Sequence, residues 1–264
     1  MFVDSHCHLS FPELRAELPA IRNAMQREHV ARALCFCTTL EEFETVHALA
    51  REHDNFWCTV GVHPDNEDVQ EPLVADLLER AARPRVVAIG ETGLDYYRLG
   101  ERSVADMEWQ RERFRVHIRA ARQSGLPLVV HTRASAADTL ALLREEGLEG
   151  EGDPVRGVFH CFTETRAVAR QALELGFMIS FSGILTFRNA AELREVAAEV
   201  PLERCLIETD SPYLAPVPYR GKMNIPAYVP HVARQIAELR GLSVERVGEL
   251  TSRNFETLFQ PAQS

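Results

Sequence analysis

Lysine is almost missing from this chain: Lys222 stands alone against 28 arginines. The net charge is −10. Such a surface repels polyanions, so a broad basic footprint for nucleic acid is excluded, and a phosphate-bearing substrate would have to be met by local cations. No run approaches the roughly 18 apolar residues that cross a bilayer. The opening MFVDSHCHLS has neither a basic n-region nor an apolar h-region, so no secretory leader is read. The expectation is a cytoplasmic protein with no membrane partner. The six cysteines, at 7, 35, 37, 58, 161 and 205, form no CxxC and match no zinc-ribbon or disulfide framework. Each lies in or beside a short apolar run, which points to buried thiols in a reducing compartment. GxGxxG does not occur, which argues against a doubly wound dinucleotide fold.

What is present is a strand-then-helix rhythm. Eight short β-rich runs fall at 2–6, 33–39, 56–64, 85–93, 126–133, 156–162, 177–183 and 204–212. Amphipathic segments separate them, for example Met107 to Ser124 and Arg166 to Leu175. Two helices close the chain, near Pro226–Arg240 and Val244–Phe259, the second with Ser243 as its N-cap. Eight such units in 264 residues is the count of an α/β (β/α)8 TIM barrel, here read as one domain over 1–264.

Active sites of such barrels sit at the C-terminal ends of the strands. The first polar residues at those ends are His6 and His8, His63, Glu91, His131, His160, and Glu208 with Asp210. Imidazoles and carboxylates converging on one mouth suit divalent metals. His6 and His8, two apart on extended chain, point to the same side and can share an ion. The donors outnumber the needs of one tetrahedral ion, so two ions are expected, with Glu91 bridging them. Two ions about 4 Å apart can activate a water and clamp both oxygens of a phosphodiester. His63 is read as a substrate contact or a support for a ligand, and Glu208, which shares a side with Asp210 by period two, as a support rather than a ligand. Asp95 and Tyr96 lie in a loop that suits a turn or a substrate contact. His29, His47, His53, His117 and His231 fall in helical segments and are read as packing or surface residues.

At this point the chain resembles a known family, the TatD metal-dependent deoxyribonucleases among the amidohydrolase-like barrels. The matching motifs are DSHCHL (4–9), GVHP (61–64), GETGLDYY (90–97), PLVVHTR (127–133), HCF (160–162), ETDSPYLAP (208–216), NIPAYVP (224–230) and TSRNFETLF (251–259). They occur in order and span nearly the whole chain. The resemblance implies a TIM barrel in which His6, His8 and Asp210 hold one ion, His131 and His160 the other, and Glu91 lies between. It also implies a Mg2+-dependent DNase that often works from the 3′ end of DNA, in repair or degradation. Two departures stand out. The family's Lys-Arg-Asn-Glu-Pro run is here Lys222, Met223, Asn224, Ile225 and Pro226, and a second Gln in the helix after the fourth strand is here His117, while Gln110 is retained.

The expected chemistry is hydrolysis of DNA phosphodiesters, as a 3′–5′ exonuclease on single-stranded ends, by a monomer. The cofactors are two divalent ions, Mg2+ or Mn2+ in catalysis with Zn2+ admitted by the imidazoles. Asp210 would orient the attacking water and take its proton, with Glu91 as the second catalytic carboxylate. Candidate substrate contacts are His63, Asp95, Tyr96, Arg133, Lys222 and Asn224; Arg188 and Arg220 are further phosphate candidates. Tyr96, Tyr97 and Phe162 are candidates for base stacking. The rival reading is an amidohydrolase acting on amides or esters, such as aminoacyl esters. Many of those barrels bridge their metals with a carboxylated lysine after the fourth strand, where this chain has Glu91. A metal-binding protein without enzymatic activity would instead close the coordination sphere with protein ligands.

Overall fold

The computed structural model describes residues 1–148 and 153–261. Eight strands are present: β1 (Phe2–Cys7), β2 (Val30–Cys35), β3 (Phe56–Val60), β4 (Val86–Asp95), β5 (Leu128–Arg133), β6 (Gly157–Phe159), β7 (Met178–Phe181) and β8 (Cys205–Ile207). They pair in parallel, each with its successor in the chain. The ring closes where the chain beyond β8 meets β1. His8 N–H donates to Ser211 O and Asp210 N–H to His6 O, each at 2.9 Å. The buried Asp4 carboxylate adds a side-chain latch across the same seam, accepting from Thr209 N–H at 2.8 Å and from the Thr209 hydroxyl at 2.5 Å.

Around the barrel run α1 (Pro12–Ala16), α2 (Leu18–Arg27), α3 (Phe43–Glu52), α4 (Val74–Ala81), α5 (Glu108–Ser124), α6 (Ala136–Gly147), α7 (Arg166–Glu174), α8 (Ala191–Glu199), α9 (Val229–Arg240) and α10 (Val244–Phe259). The Ser243 hydroxyl caps α10 by accepting from Arg246 N–H. Strands of such a barrel are covered on both faces, so they read as apolar runs, and β4 is buried along its whole length. Among the described residues no helix is long and apolar enough to cross a membrane.

One buried apolar residue from each strand forms a layer: Val3, Leu34, Trp57, Val87, Val129, Val158, Met178 and Leu206. Phe255, Leu258 and Phe259 of α10 pack against it. Side chains two residues apart on a strand share a face. The same inward side therefore carries His131 beyond Val129, His160 beyond Val158, and Glu208 beyond Leu206. An apolar floor thus lies beneath a polar mouth.

Strand lengths differ from the sequence reading at the mouth. The extended runs of 33–39, 56–64 and 204–212 keep ladder partners only over Val30–Cys35, Phe56–Val60 and Cys205–Ile207. Beyond those points single backbone hydrogen bonds continue, from Phe36 N–H to Cys7 O, from His63 N–H to Thr38 O and from Glu208 N–H to Phe181 O. Two histidines assigned to helices lie at helix ends instead. His29 follows α2 in the left-handed region, and His53 ends α3 in extended conformation.

His117 is fully buried in α5 and holds two backbone groups. Its Nε2 accepts from Val62 N–H at 3.0 Å, and its Nδ1 donates to Arg113 O at 2.8 Å. Burial pushes the ring's pKa down to about 4. The unfolded chain therefore takes up this proton first as pH falls: the contribution is complete above about pH 6.5 and shrinks toward pH 4. Between about pH 7 and pH 5 it should cost about 2 kcal/mol. Urea unfolding of His117→Gln at both pH values should show that much less acid sensitivity than the parent, and an equal loss in both would refute the assignment.

Candidate metal centre

The mouth is organised around one carboxylate. Glu91 is 3% exposed, and each of its oxygens faces a different group of imidazoles. Oε2 lies 3.2 Å from His6 Nε2 and 3.8 Å from His8 Nε2. Oε1 lies 2.7 Å from His160 Nε2, 3.2 Å from His63 Nε2 and 3.3 Å from His131 Nδ1. Asp210 completes the first side, with Oδ1 3.5 Å from His8 Nε2 and 3.7 Å from His6 Nε2. It sits in the left-handed region at φ 55°, a conformation Asp tolerates better than most residues.

The sequence-predicted ligands His6, His8, Glu91, His131, His160 and Asp210 are thus brought together. His63, read as a substrate contact or a ligand's support, joins the Glu91 and His131 group directly. Three sets place their donor atoms within 4.8 Å of one another: His6, His8 and Glu91; His63, Glu91 and His131; His6, His160 and Glu208. Such a donor set fits divalent cations. The buried atoms agree, because His160 Nε2 has no hydrogen-bond partner although it faces Glu91.

Two carboxylates orient imidazoles from behind. Glu208 Oε1 accepts from His160 Nδ1 at 3.2 Å and from Cys161 N–H at 2.7 Å. Asp95 Oδ2 lies 3.0 Å from His131 Nε2. A hydrogen bond to one ring nitrogen places the proton there and leaves the other free to bind metal. Asp95 therefore stands behind His131, away from the substrate position the sequence suggested, and Glu208 stands behind His160. Burial pushes the Glu91 carboxyl up, but His160, His63 and His6 outweigh it and hold it well below its usual range. Burial likewise pushes the His160 ring down, and Glu91 and Glu208 outweigh that and raise it well above its usual value.

One face of α5 holds the loops in place. Gln110 Oε1 accepts from Asp95 N–H at 2.9 Å. The buried Arg113 guanidinium donates to His63 O at 2.9 Å and Asn66 O at 2.8 Å, and pairs with Glu71. With His117 on Val62, these residues fix the exits of β3 and β4. Gly93 lies at φ 136°, and a Cβ there would come within 1.9 Å of His131 O, so β4 can approach β5 this closely only with glycine.

The mouth itself is a cavity of about 670 Å3 lined by His8, His63, Arg98, His131, Arg133 and Asp210 among others. Several expected substrate contacts lie elsewhere. Tyr96 is buried, its hydroxyl donating to Asp138 at 2.8 Å and accepting from Arg111. Phe162 is 1% exposed and cannot stack on a base. Asn224 is fully buried, donating to Thr209 O and Tyr213 O. Lys222 is exposed, with its ammonium beside the Tyr219 ring. Arg220 covers Phe187. Arg133 does line the mouth, lying on Tyr97. Five cysteines are buried as expected, while the partly exposed Cys161 lines the mouth.

The model of the family described as TatD related DNase matches residues 3–260. The chain belongs to the TatD family. It is 48% identical to the uncharacterized metal-dependent hydrolase YcfH of Escherichia coli K12, over 97% of this chain and 95% of that one. It is 34% identical to a 3′–5′ ssDNA/RNA exonuclease TatD of Klebsiella pneumoniae, over 84% of each. Among solved structures, the TatD homologue YJJV of Escherichia coli superposes with a TM-score of 0.87, at 26% identity and 98% coverage of both chains. This TatD-family chain is accordingly a metal-dependent hydrolase with the family's TIM-barrel fold.

Ligands that bind only the folded state stabilise it. Mn2+ at about 100 times its Kd should add about 3 kcal/mol, or about 5–10 °C in Tm. Asp95→Asn and Glu208→Gln should each need about 10–100-fold more Mn2+ for the same shift. An unchanged Mn2+ dependence in both would show that neither carboxylate supports the metal.

Proposed function

We propose that this chain is a divalent-metal-dependent deoxyribonuclease that removes nucleotides from the 3′ ends of single-stranded DNA. The observation that carries this reading is the Glu91 carboxylate, with one imidazole group at each oxygen and Asp210 beside it in an open mouth. The Klebsiella relative named as a 3′–5′ ssDNA/RNA exonuclease supports the substrate class. His6, His8, Glu91 and Asp210 would hold one cation, and Glu91, His63, His131 and His160 a second. Mg2+, Mn2+ or Zn2+ bound there would supply positive charge to the phosphoryl oxygens and acidify a water.

The chain's own groups do the rest. Asp210 faces the mouth from the closing seam and accepts the proton of the attacking water. Asp95 and Glu208 keep the His131 and His160 rings turned toward Glu91. Arg133 and Arg98 line the same cavity and are the local cations that an acidic chain needs to hold a DNA phosphate. No lysine bridge is available, because Lys222 is on the surface.

Single-stranded DNA labelled at the 3′ or 5′ end, incubated with each metal, should lose nucleotides from the 3′ end. Glu91→Ala and His160→Ala should fall at least about hundredfold while staying folded by circular dichroism. Full activity in both would sink the reading. Turnover confined to cyclic amides, lactones or aminoacyl esters run in parallel would establish the amidohydrolase alternative.

A further inference from the structure

The cavity mouth is chemically divided. Arg98, just after β4, and Arg133, at the end of β5, line it together with His131. Beside His8 stand two aromatic rings. The Phe11 ring stacks on His8 with centroids 4.8 Å apart and planes at 24°. Tyr213 meets Phe11 edge-on at 6.4 Å and 76°, and is 56% exposed. Both rings line the cavity and together make an L-shaped corner in it.

A flat, weakly charged group fits this corner, since it can lie on one ring and meet the other at its edge. A phosphate does not fit it. Neither ring supplies the positive charge that a phosphate needs. The corner is also held firmly. Tyr213 N–H donates to Asp210 O at 3.0 Å, and buried Asn224 donates to Tyr213 O at 2.7 Å. The backbone that places Asp210 at the reacting centre therefore also places the exposed ring.

Resting on the deoxyribonuclease reading, we propose that Phe11 and Tyr213 form the subsite for the nucleobase of the terminal nucleoside, while Arg98 and Arg133 hold the phosphates of the remaining chain. The scissile phosphate then lies between them, at Glu91 and Asp210. The strand is oriented by chemistry: an uncharged terminal nucleoside on the aromatic side and the polyanion on the cationic side. A base paired in a duplex cannot enter the corner, which accounts for a preference for single-stranded ends.

The test compares single-stranded oligonucleotides ending in an ordinary or an abasic nucleotide. The parent should favour the ordinary end by about tenfold in kcat/KM, the range expected for one base stacked on an aromatic ring. Tyr213→Ala should lose that preference, and Tyr213→Trp should keep it; both leave the backbone bonds of Tyr213 in place. A terminal phosphate should weaken the parent's turnover. A second arm needs no cleavage. An oligonucleotide ending in a fluorescent adenine analogue, whose emission falls on stacking, should be quenched by the parent and not by Tyr213→Ala. Equal turnover of ordinary and abasic ends by the parent, or an unchanged preference in Tyr213→Ala, would overturn the subsite. If no oligonucleotide is cut with any metal, the deoxyribonuclease reading fails, and the fluorescence arm still decides whether the corner binds a base.

Discussion

Everything at this mouth depends on one buried negative charge. Glu91 stands above an apolar floor, where an unpaired carboxylate would cost several kcal/mol. It is tolerated because five imidazoles surround it, two at one oxygen and three at the other. The same arrangement turns one oxygen toward each group of imidazoles. A carboxylate whose two oxygens serve separate donor groups can hold two cations close without letting them repel freely. Metal binding here means replacing protons on imidazoles by metal, so affinity is coupled to pH. The imidazoles that answer the Glu91 charge are those that would ligate the metal.

That arrangement is supported from two directions. From behind, Asp95 and Glu208 fix which nitrogen of His131 and His160 carries a proton. From outside, α5 grips the backbone at Val62, His63 and Asp95 through His117, Arg113 and Gln110. Buried polar groups such as the Arg113 guanidinium and the His117 ring are costly unless fully engaged, and both are. The helix thus acts as a splint for two strand exits, and its polar buried face contributes placement more than core packing.

Much of this was legible in the sequence. Parallel strands buried on both faces produce apolar runs, and the first polar residue after such a run lies at the mouth, so His6, His8, His63, Glu91, His131, His160 and Asp210 could be picked out by position. What could not be read was partnership across the chain. Asp95 looks like a turn residue until His131 is seen 3.0 Å away. Tyr96 and Phe162 look available to a base, yet burial removes both. Asn224, close to Lys222 in the sequence, looks like a substrate contact, but its amide nitrogen is taken up by two backbone carbonyls. Phe11 carries no period-two or motif signal, since only the fold brings it against Tyr213. Asp4, inside the DSHCHL motif, reveals its purpose only when Thr209 meets it across the seam.

The seam explains why the site draws residues from both the first and the last strand. β1 and β8 pair little as strands; what joins them is the Cys7 to Ser211 bridge, the His6, His8, Asp210 and Ser211 backbone bonds and the Asp4 latch. These contacts span about two hundred residues, and contacts of such separation are the most expensive in chain entropy. The pair His6 and His8 therefore meets Asp210 only when the barrel closes. A misregistered β1 would fail at once as a strand, as a latch and as half of a metal site. Coupling the closure of the ring to the assembly of the donors ties the hydrolytic centre to the completed barrel, and a metal ion held there would in turn reinforce the weakest joint of the ring.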